Sequence, residues 1–98
     1  LILKVDEEGF LIDRDDWTKN AMLELALAEG VILTSAHVKY IMAAREMYAD
    51  NRTVPSIREF AKHFGMSRKA RELYQLFETS PMKRIAKWGG LPKTHGCL

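Results

Sequence analysis

The apolar positions of the chain follow two different periods. Leu1-Ile2-Leu3, Val5 and then Phe10-Leu11-Ile12 are short, partly β-branched apolar runs separated by Asp6-Glu7-Glu8-Gly9. Turn chemistry between two such runs predicts an N-terminal β-hairpin, which has to pack on other elements because a lone hairpin is marginal in water. From Asp13 the spacing becomes helical. Trp17, Ala21, Leu25 and Ala28 recur at four, four and three, with Met22 and Leu23 widening the face. Acidic residues from Asp13 to Asp16 suit the positive end of a helix dipole, and Glu29-Gly30 suits its stop. A first helix is therefore predicted over about residues 16–28.

Val31-Ile32-Leu33 is an apolar connector ending at Thr34-Ser35, where either hydroxyl can cap the next helix. Val38, Ile41, Met42, Arg45 and Tyr48 fall on or near one face of that second helix, which runs to about Asp50. After Asn51-Arg52-Thr53 and Val54-Pro55, Ser56-Ile57-Arg58-Glu59 has the form of a capping box and opens a third helix. Ile57, Phe60, Ala61 and Phe64 form its apolar face, and Gly65 ends it. Ser67 is the expected cap of a fourth helix carrying Ala70, Leu73, Tyr74 and Phe77. Thr79-Ser80-Pro81 breaks the chain before a short fifth helix, Met82 to Trp88, basic on one side through Lys83, Arg84 and Lys87. Gly89-Gly90 and Pro92 forbid its continuation. The expected fold is mainly α (α+β): a small bundle of about five helices with an N-terminal β-hairpin, a body over 1–90 and a flexible C-terminal arm over 91–98.

Composition narrows the class. Ninety-eight residues, 47% hydrophobic and 29% charged, make one ordinary globular domain with a small core. No apolar run approaches the roughly 18 residues of a membrane span, and the first residues lack the flanks of a signal peptide. A single cysteine forms no internal disulfide and implies no oxidising compartment, so the cytoplasm is the expected location. The abrupt start at Leu1 leads us to expect residues upstream of it. Charge is unevenly spread. Residues 1–50 hold five Lys/Arg and ten Asp/Glu, a net −5; residues 51–98 hold ten and three, a net +7. The basic half suggests an anionic partner surface; solvated helix faces account for it equally well.

The last eight residues, Leu91-Pro92-Lys93-Thr94-His95-Gly96-Cys97-Leu98, carry the candidate chemistry. They show no apolar periodicity, and Gly89-Gly90 read as hinges at their root. Eight extended residues reach at most about 27 Å. A thiolate is the reactive form of cysteine, and a free thiol near 8.5 is only slightly ionised at neutral pH. Lys93 and a protonated His95 favour the thiolate of Cys97; the terminal carboxylate opposes it. Gly96 leaves the sulfur's neighbour bare, as passage into a narrow channel requires. That is the layout of a mobile thiol visiting a donor and then an acceptor. An incidental terminal cysteine fits the same residues. Cys97 and His95 are two ligands, short of the four a zinc site takes, so neither metal nor cofactor is expected.

Residues 56–70 offer a competing motif, similar to a DNA-binding helix-turn-helix in which Ser67, Arg68 and Lys69 open the second helix toward phosphates or base edges. Arg71 stands where that pattern wants an aliphatic residue, and duplex DNA is the disfavoured partner. His37 and His63 each read as packed or half-exposed rather than catalytic, and Trp17 and Trp88 as core or interface anchors.

Gly90-Leu91-Pro92-Lys93 followed by Gly96-Cys97 and one aliphatic residue resembles the C-terminal arm of the DsrC/TusE family. Val5-Asp6-Glu7-Glu8-Gly9-Phe10-Leu11, Asp16-Trp17, Gly30-Val31-Ile32-Leu33-Thr34 with His37, Arg45 and Tyr48, Pro55 with Ile57-Arg58, and Leu73-Tyr74, Leu76-Phe77, Pro81 and Lys83 resemble the rest of it in order. The resemblance implies a small, mostly helical fold whose penultimate cysteine, here Cys97, carries sulfur. It also implies protein partners: a TusBCD-like donor and an MnmA-like thiouridylase acceptor, with tRNA and wobble 2-thiouridine as the destination. The DsrC type, a partner of dissimilatory sulfite reductase, has a second cysteine eleven positions before the last one; Ala86 stands there, so the likeness is to TusE or to single-cysteine DsrC homologues, with a sulfite reductase partner without catalysis as an alternative. Gly90, Pro92, Lys93 and Gly96 are then arm residues, and Lys83, Arg84 and Lys87 the expected docking surface. Thr94 and His95 depart from the family's arm, which usually has a second proline at the first position and a small or aliphatic residue at the second.

Overall fold

The computed structural model describes residues 3–67 and 69–93. A 3-10 turn at Arg14–Asp16 is followed by five α-helices: α1 Lys19–Leu27, α2 Ser35–Asn51, α3 Ile57–His63, α4 Arg71–Phe77 and α5 Pro81–Trp88. The last helix is the middle of the protein. It packs on α1, α2 and α4. Pro81, Met82, Ile85, Ala86, Lys87 and Trp88 are all buried along it. Met22, Ile41, Phe60, Leu73 and Phe77 meet them from the surrounding helices with almost no exposure. Full burial of side chains of this size contributes roughly 1.5–3 kcal/mol each, so this short helix holds the core together.

The N-terminal segment differs from the expected hairpin. Among the described residues it forms no strand, only a tight turn closed by a single antiparallel bridge between Val5 and Leu11. The Asp6 carboxylate accepts the amides of Glu8 at 2.9 Å and Phe10 at 3.0 Å, which organises the turn. Phe10 and Leu11 are both buried, at 4% and 8% exposure. Two consecutive inward residues break the in–out alternation a strand requires.

Helix starts moved where capping chemistry decided them. Thr18, not the acidic run, caps α1: its hydroxyl accepts the Ala21 amide at 3.0 Å. Asp13 to Asp16 are used in the 3-10 turn, where Asp13 accepts the Asp15 amide at 2.9 Å. Trp17 is thereby left in extended backbone between two elements instead of on the helix face. Thr34 caps α2, and the third helical residue of its box is His37. The His37 Nδ1 accepts the Thr34 amide at 3.0 Å, and Nε2–H donates to the Leu76 carbonyl at 2.8 Å. His37 is thus a packed residue joining α2 to the end of α4. The Ser56–Glu59 box on α3 forms as expected. Ser67 does not cap α4; Ala70, in left-handed backbone, precedes Arg71, and the Ser67 carbonyl accepts the Ala70 amide at 3.0 Å.

Tyr40 of α2 makes a titratable cross-link to α4, its hydroxyl donating to Glu72 at 2.7 Å. Burial, and then the Glu72 carboxylate, push the phenol up to about 12. A tyrosine in the unfolded chain ionises near 10. The unfolded state therefore loses its proton first, and stability that is intact below about pH 10 is lost as the pH rises through about 12, by at most roughly 2–3 kcal/mol. We expect the urea midpoint to fall over that interval and Tyr40→Phe to flatten the fall. Equal falls in both proteins would contradict this assignment.

Candidate functional site

Gly96, Cys97 and their neighbours from residue 94 on lie outside the described residues, so the structure defines the root of the arm and what surrounds it. That root is the C-terminal end of α5. A helix leaves its last carbonyls without partners, and these are buried. Gly89 N–H donates to the Ile85 carbonyl at 2.9 Å, Gly90 N–H to Lys87 at 3.4 Å and Leu91 N–H to Ala86 at 2.9 Å. The last two are the paired bonds of a Schellman motif, with Gly90 in the left-handed conformation at φ +68°. Leu91, expected in the arm, is buried at 6% exposure.

Two distant residues take the remaining carbonyls. Trp17 donates its indole N–H to the Trp88 carbonyl at 2.8 Å. Arg45 of α2 donates to the Gly89 carbonyl. The two are joined to each other, the Arg45 guanidinium lying 3.6 Å from the centre of the Trp17 ring. Burial lowers the Arg45 pKa, and the negative end of the α5 dipole is the favourable place for that cation. The glycines of the root serve close approach. A Cβ on Gly90 would sit 2.6 Å from the Trp17 ring, and one on Gly89 2.8 Å from the Ile85 carbonyl. Both are buried, which does not fit the hinge role expected for them.

Beyond Leu91 the chain is tied by charge. Lys93 Nζ lies 3.1 Å from Asp6 and 3.2 Å from Glu8, both on the N-terminal turn. Burial raises the Asp6 pKa, but the Lys93 hydrogen bond and the amides of Phe10 and Glu8 outweigh it and hold the carboxyl below its usual range. Lys93 does the same for Glu8, and Asp6 and then Glu8 hold Lys93 above the ordinary lysine value. Phe10 lies beneath this contact, with Lys87 and Lys93 each 5.7 Å from its ring centre.

The cations expected to form a docking surface are engaged within the fold. Lys87 is buried and pairs with Glu29 at 3.3 Å. Glu29 also accepts the Trp88 indole N–H at 2.8 Å. Arg84 reaches Glu29 and Glu78 at 4.0 and 3.9 Å, and Lys83 reaches Glu8 at 3.5 Å. Ala86, where the resemblance to the DsrC type leads one to look for a second cysteine, has no exposure. Pro92 is half-buried. Among the described residues no three His, Cys, Asp or Glu side chains gather as a metal site would require, and no helix is long and apolar enough to cross a membrane. The partners of the root carry no local signal of that role: Asp6 and Glu8 read as turn residues, Glu29 as part of a helix stop, and Trp17 as a helix-face residue.

The helix-turn-helix segment takes a different form from its motif. Residues 64–70 separate α3 from α4, longer than the three- or four-residue turn of that unit. Lys69 and Ser67 precede α4 instead of opening it, and Arg68 lies outside the described residues. Arg58, Lys62 and Ser67 line an open pocket of about 650 Å³ on this side. His63 is exposed beside Phe64.

Comparison with known proteins assigns the fold. The family described as "DsrC like protein" matches residues 2–98, and the chain belongs to it. The chain is 35% identical over 96 residues to the gamma subunit of dissimilatory-type sulfite reductase from Nitratidesulfovibrio vulgaris, covering 97% of this chain and 90% of the relative. It is 35% identical over 101 residues to sulfurtransferase TusE of Photorhabdus laumondii, covering 98% and 91%. The NMR structure of Allochromatium vinosum DsrC superposes with a TM-score of 0.84 at 33% identity, covering 98% of this chain and 90% of that one. The oxidised gamma subunit from Archaeoglobus fulgidus gives 0.81 at 29%, covering 98% and 92%.

Two outcomes test the root. Gly65 and Gly90 share nearly the same backbone, φ +69° and +68°, but a Cβ on Gly65 meets nothing within 4 Å. Gly65→Ala should cost about 1–2 kcal/mol of backbone strain, and Gly90→Ala about 1–3 kcal/mol more through overpacking against Trp17. Urea unfolding of both variants measures the difference; equal losses would show that Trp17 moves aside freely. Lys93→Ala should return the Asp6 and Glu8 carboxyls upward toward their ordinary values, read by NMR titration of their side-chain carbons. Unmoved carboxyls would show that Lys93 does not hold them.

Proposed function

We propose that the protein is a sulfur-relay carrier whose working group is the Cys97 thiolate. The thiolate attacks the outer sulfur of a donor protein's persulfide. The donor's S–S bond breaks, the donor sulfur leaves as thiolate, and Cys97 holds the transferred sulfur as a persulfide. An acceptor then takes that sulfur, and the Cys97 thiolate is restored. The observation that supports this reading is the extent of the family match, which runs through Cys97 to residue 98, together with relatives named as sulfurtransferases.

The anchored root favours a short-range hand-over. With Leu91 packed in the body, the six residues from it to Cys97 span at most about 22 Å. A donor or acceptor that docks near the N-terminal turn, where Lys93 pairs with Asp6 and Glu8, is within that reach. Of the two groups of relatives, Ala86 favours the TusE type, because no second thiol on this chain can receive the sulfur from Cys97. The finer assignment is sulfur uptake from a TusBCD-like complex and delivery to an MnmA-like thiouridylase acting on tRNA. The kinship with the sulfite reductase gamma subunit supports a second reading, a reductase partner that does no chemistry itself.

Incubation with a persulfide donor followed by intact mass measurement separates these. The carrier gains one sulfur per chain, and Cys97→Ser gains none. An unchanged mass after exposure to a competent donor complex would end the carrier reading and leave the partner reading.

A further inference from the structure

We propose that Trp17 and Arg45 are positioning residues for the cysteine-bearing arm: together they lock the backbone of Trp88–Gly90, so that the chain leaves α5 in one direction, and partner-dependent sulfur transfer draws on that direction. The proposal rests on the carrier reading of Cys97. Two consecutive glycines at the end of a helix have the softest backbone available to a chain, yet both amides of this pair and the Gly89 carbonyl are taken. The amides of Gly89, Gly90 and Leu91 go back to Ile85, Lys87 and Ala86. That satisfies the helix end and would suffice for a stable stop. The two carbonyls that remain, those of Trp88 and Gly89, are the ones at the exit. Each is taken by a side chain far away in sequence, Trp17 and Arg45.

The clamp acts as one unit. The guanidinium stacks at 3.6 Å on the indole, and the indole covers the face of Gly90 where a Cβ would stand at 2.6 Å. Rotation about Gly90 would therefore drive backbone into the Trp17 ring and pull the Gly89 carbonyl off Arg45. Both residues act on the backbone at Trp88–Gly89, so the proposed effect is on where the thiol is presented and not on its reactivity. Transfer between two protein sites depends steeply on placement, since a misplacement of about 1 Å can cost roughly 100-fold. A small thiol or alkylating agent arriving by diffusion carries no such demand.

The test uses the full chain with Arg45→Met, Arg45→Lys and Trp17→Phe, the last removing the indole N–H donor and leaving a smaller ring beneath Arg45. Amide hydrogen exchange at Gly90 and Leu91 reads the clamp without any sulfur chemistry. Iodoacetamide alkylation of Cys97 and sulfur release from the persulfidated protein to dithiothreitol read intrinsic reactivity. Single-turnover transfer to an MnmA-like thiouridylase with its tRNA reads presentation. We expect Arg45→Met to speed exchange at both amides at least tenfold and to lower transfer to the thiouridylase at least tenfold. Alkylation and release to dithiothreitol should stay within about twofold. Arg45→Lys should restore part of the transfer, and Trp17→Phe should move in the same direction as Arg45→Met. Where Arg45→Met does not fold, Trp17→Phe carries the test. Unchanged exchange at Gly90 and Leu91 would overturn the clamp. Faster exchange with unchanged transfer, or an equal fall in transfer and in small-thiol release, would overturn the positioning role. A wild-type chain that takes up no sulfur would overturn the carrier reading and the transfer half of the proposal, while the exchange result would still decide the clamp.

Discussion

Helix α5 ends inside the protein, and a helix that ends inside leaves carbonyl groups water cannot reach. An unpaired buried carbonyl costs about 1–3 kcal/mol, so the fold must bring donors to that point. It brings them from three places: the chain's own reversal through Gly89-Gly90-Leu91, Trp17 from the segment before α1, and Arg45 from the middle of α2. Satisfying one helix end thus draws together the N-terminal segment, the long helix and the start of the arm. The burial of Trp88 and Ile85 and the nearness of the N-terminal turn to Lys93 belong to the same arrangement.

The charge asymmetry along the chain has a structural counterpart. Four of the ten cations of the second half, Lys83, Arg84, Lys87 and Lys93, pair with Asp6, Glu8, Glu29 and Glu78, three of which come from the acidic first half. Opposite net charges in the two halves therefore act partly as an intramolecular fit. Lys87, which pairs with the partly exposed Glu29, is its one buried cation among these four. The Lys93 contacts are half-exposed, and ion pairs of that kind contribute about 0–1 kcal/mol. The chain after α5 is accordingly held firmly at Gly90 and Leu91 and lightly at Lys93.

Much of the fold is legible in the residues. The capping box at Ser56 and Glu59, the stops at Gly30 and Gly65, and the break before Pro81 rest on chemistry between residues within a few positions of each other, so a local pattern reports them. Ser67 is a good cap by composition, but packing of Ala70, at 1% exposure, sets the entry to α4. Trp17 has helical spacing to Ala21 and Leu25, but Thr18 takes the capping role and leaves the tryptophan in extended backbone. Among the described residues the expected hairpin is reduced to a single bridge for a similar reason: Phe10 and Leu11 both turn to the core, and no periodic pattern anticipates that.

By itself the sequence determined the five helices, the single cysteine next to the last residue and the likeness to the DsrC/TusE family. These depend on local periodicity, on caps and on the presence of one cysteine, all of which lie along the chain. Only the tertiary structure decided that the short basic helix is the centre of the core, that Gly89 and Gly90 are close-packing positions instead of hinges, and that Trp17 and Arg45 hold the exit of the arm. Those contacts join residues 44 to 71 positions apart, and no local pattern records which donor will reach a buried carbonyl once the helices have packed.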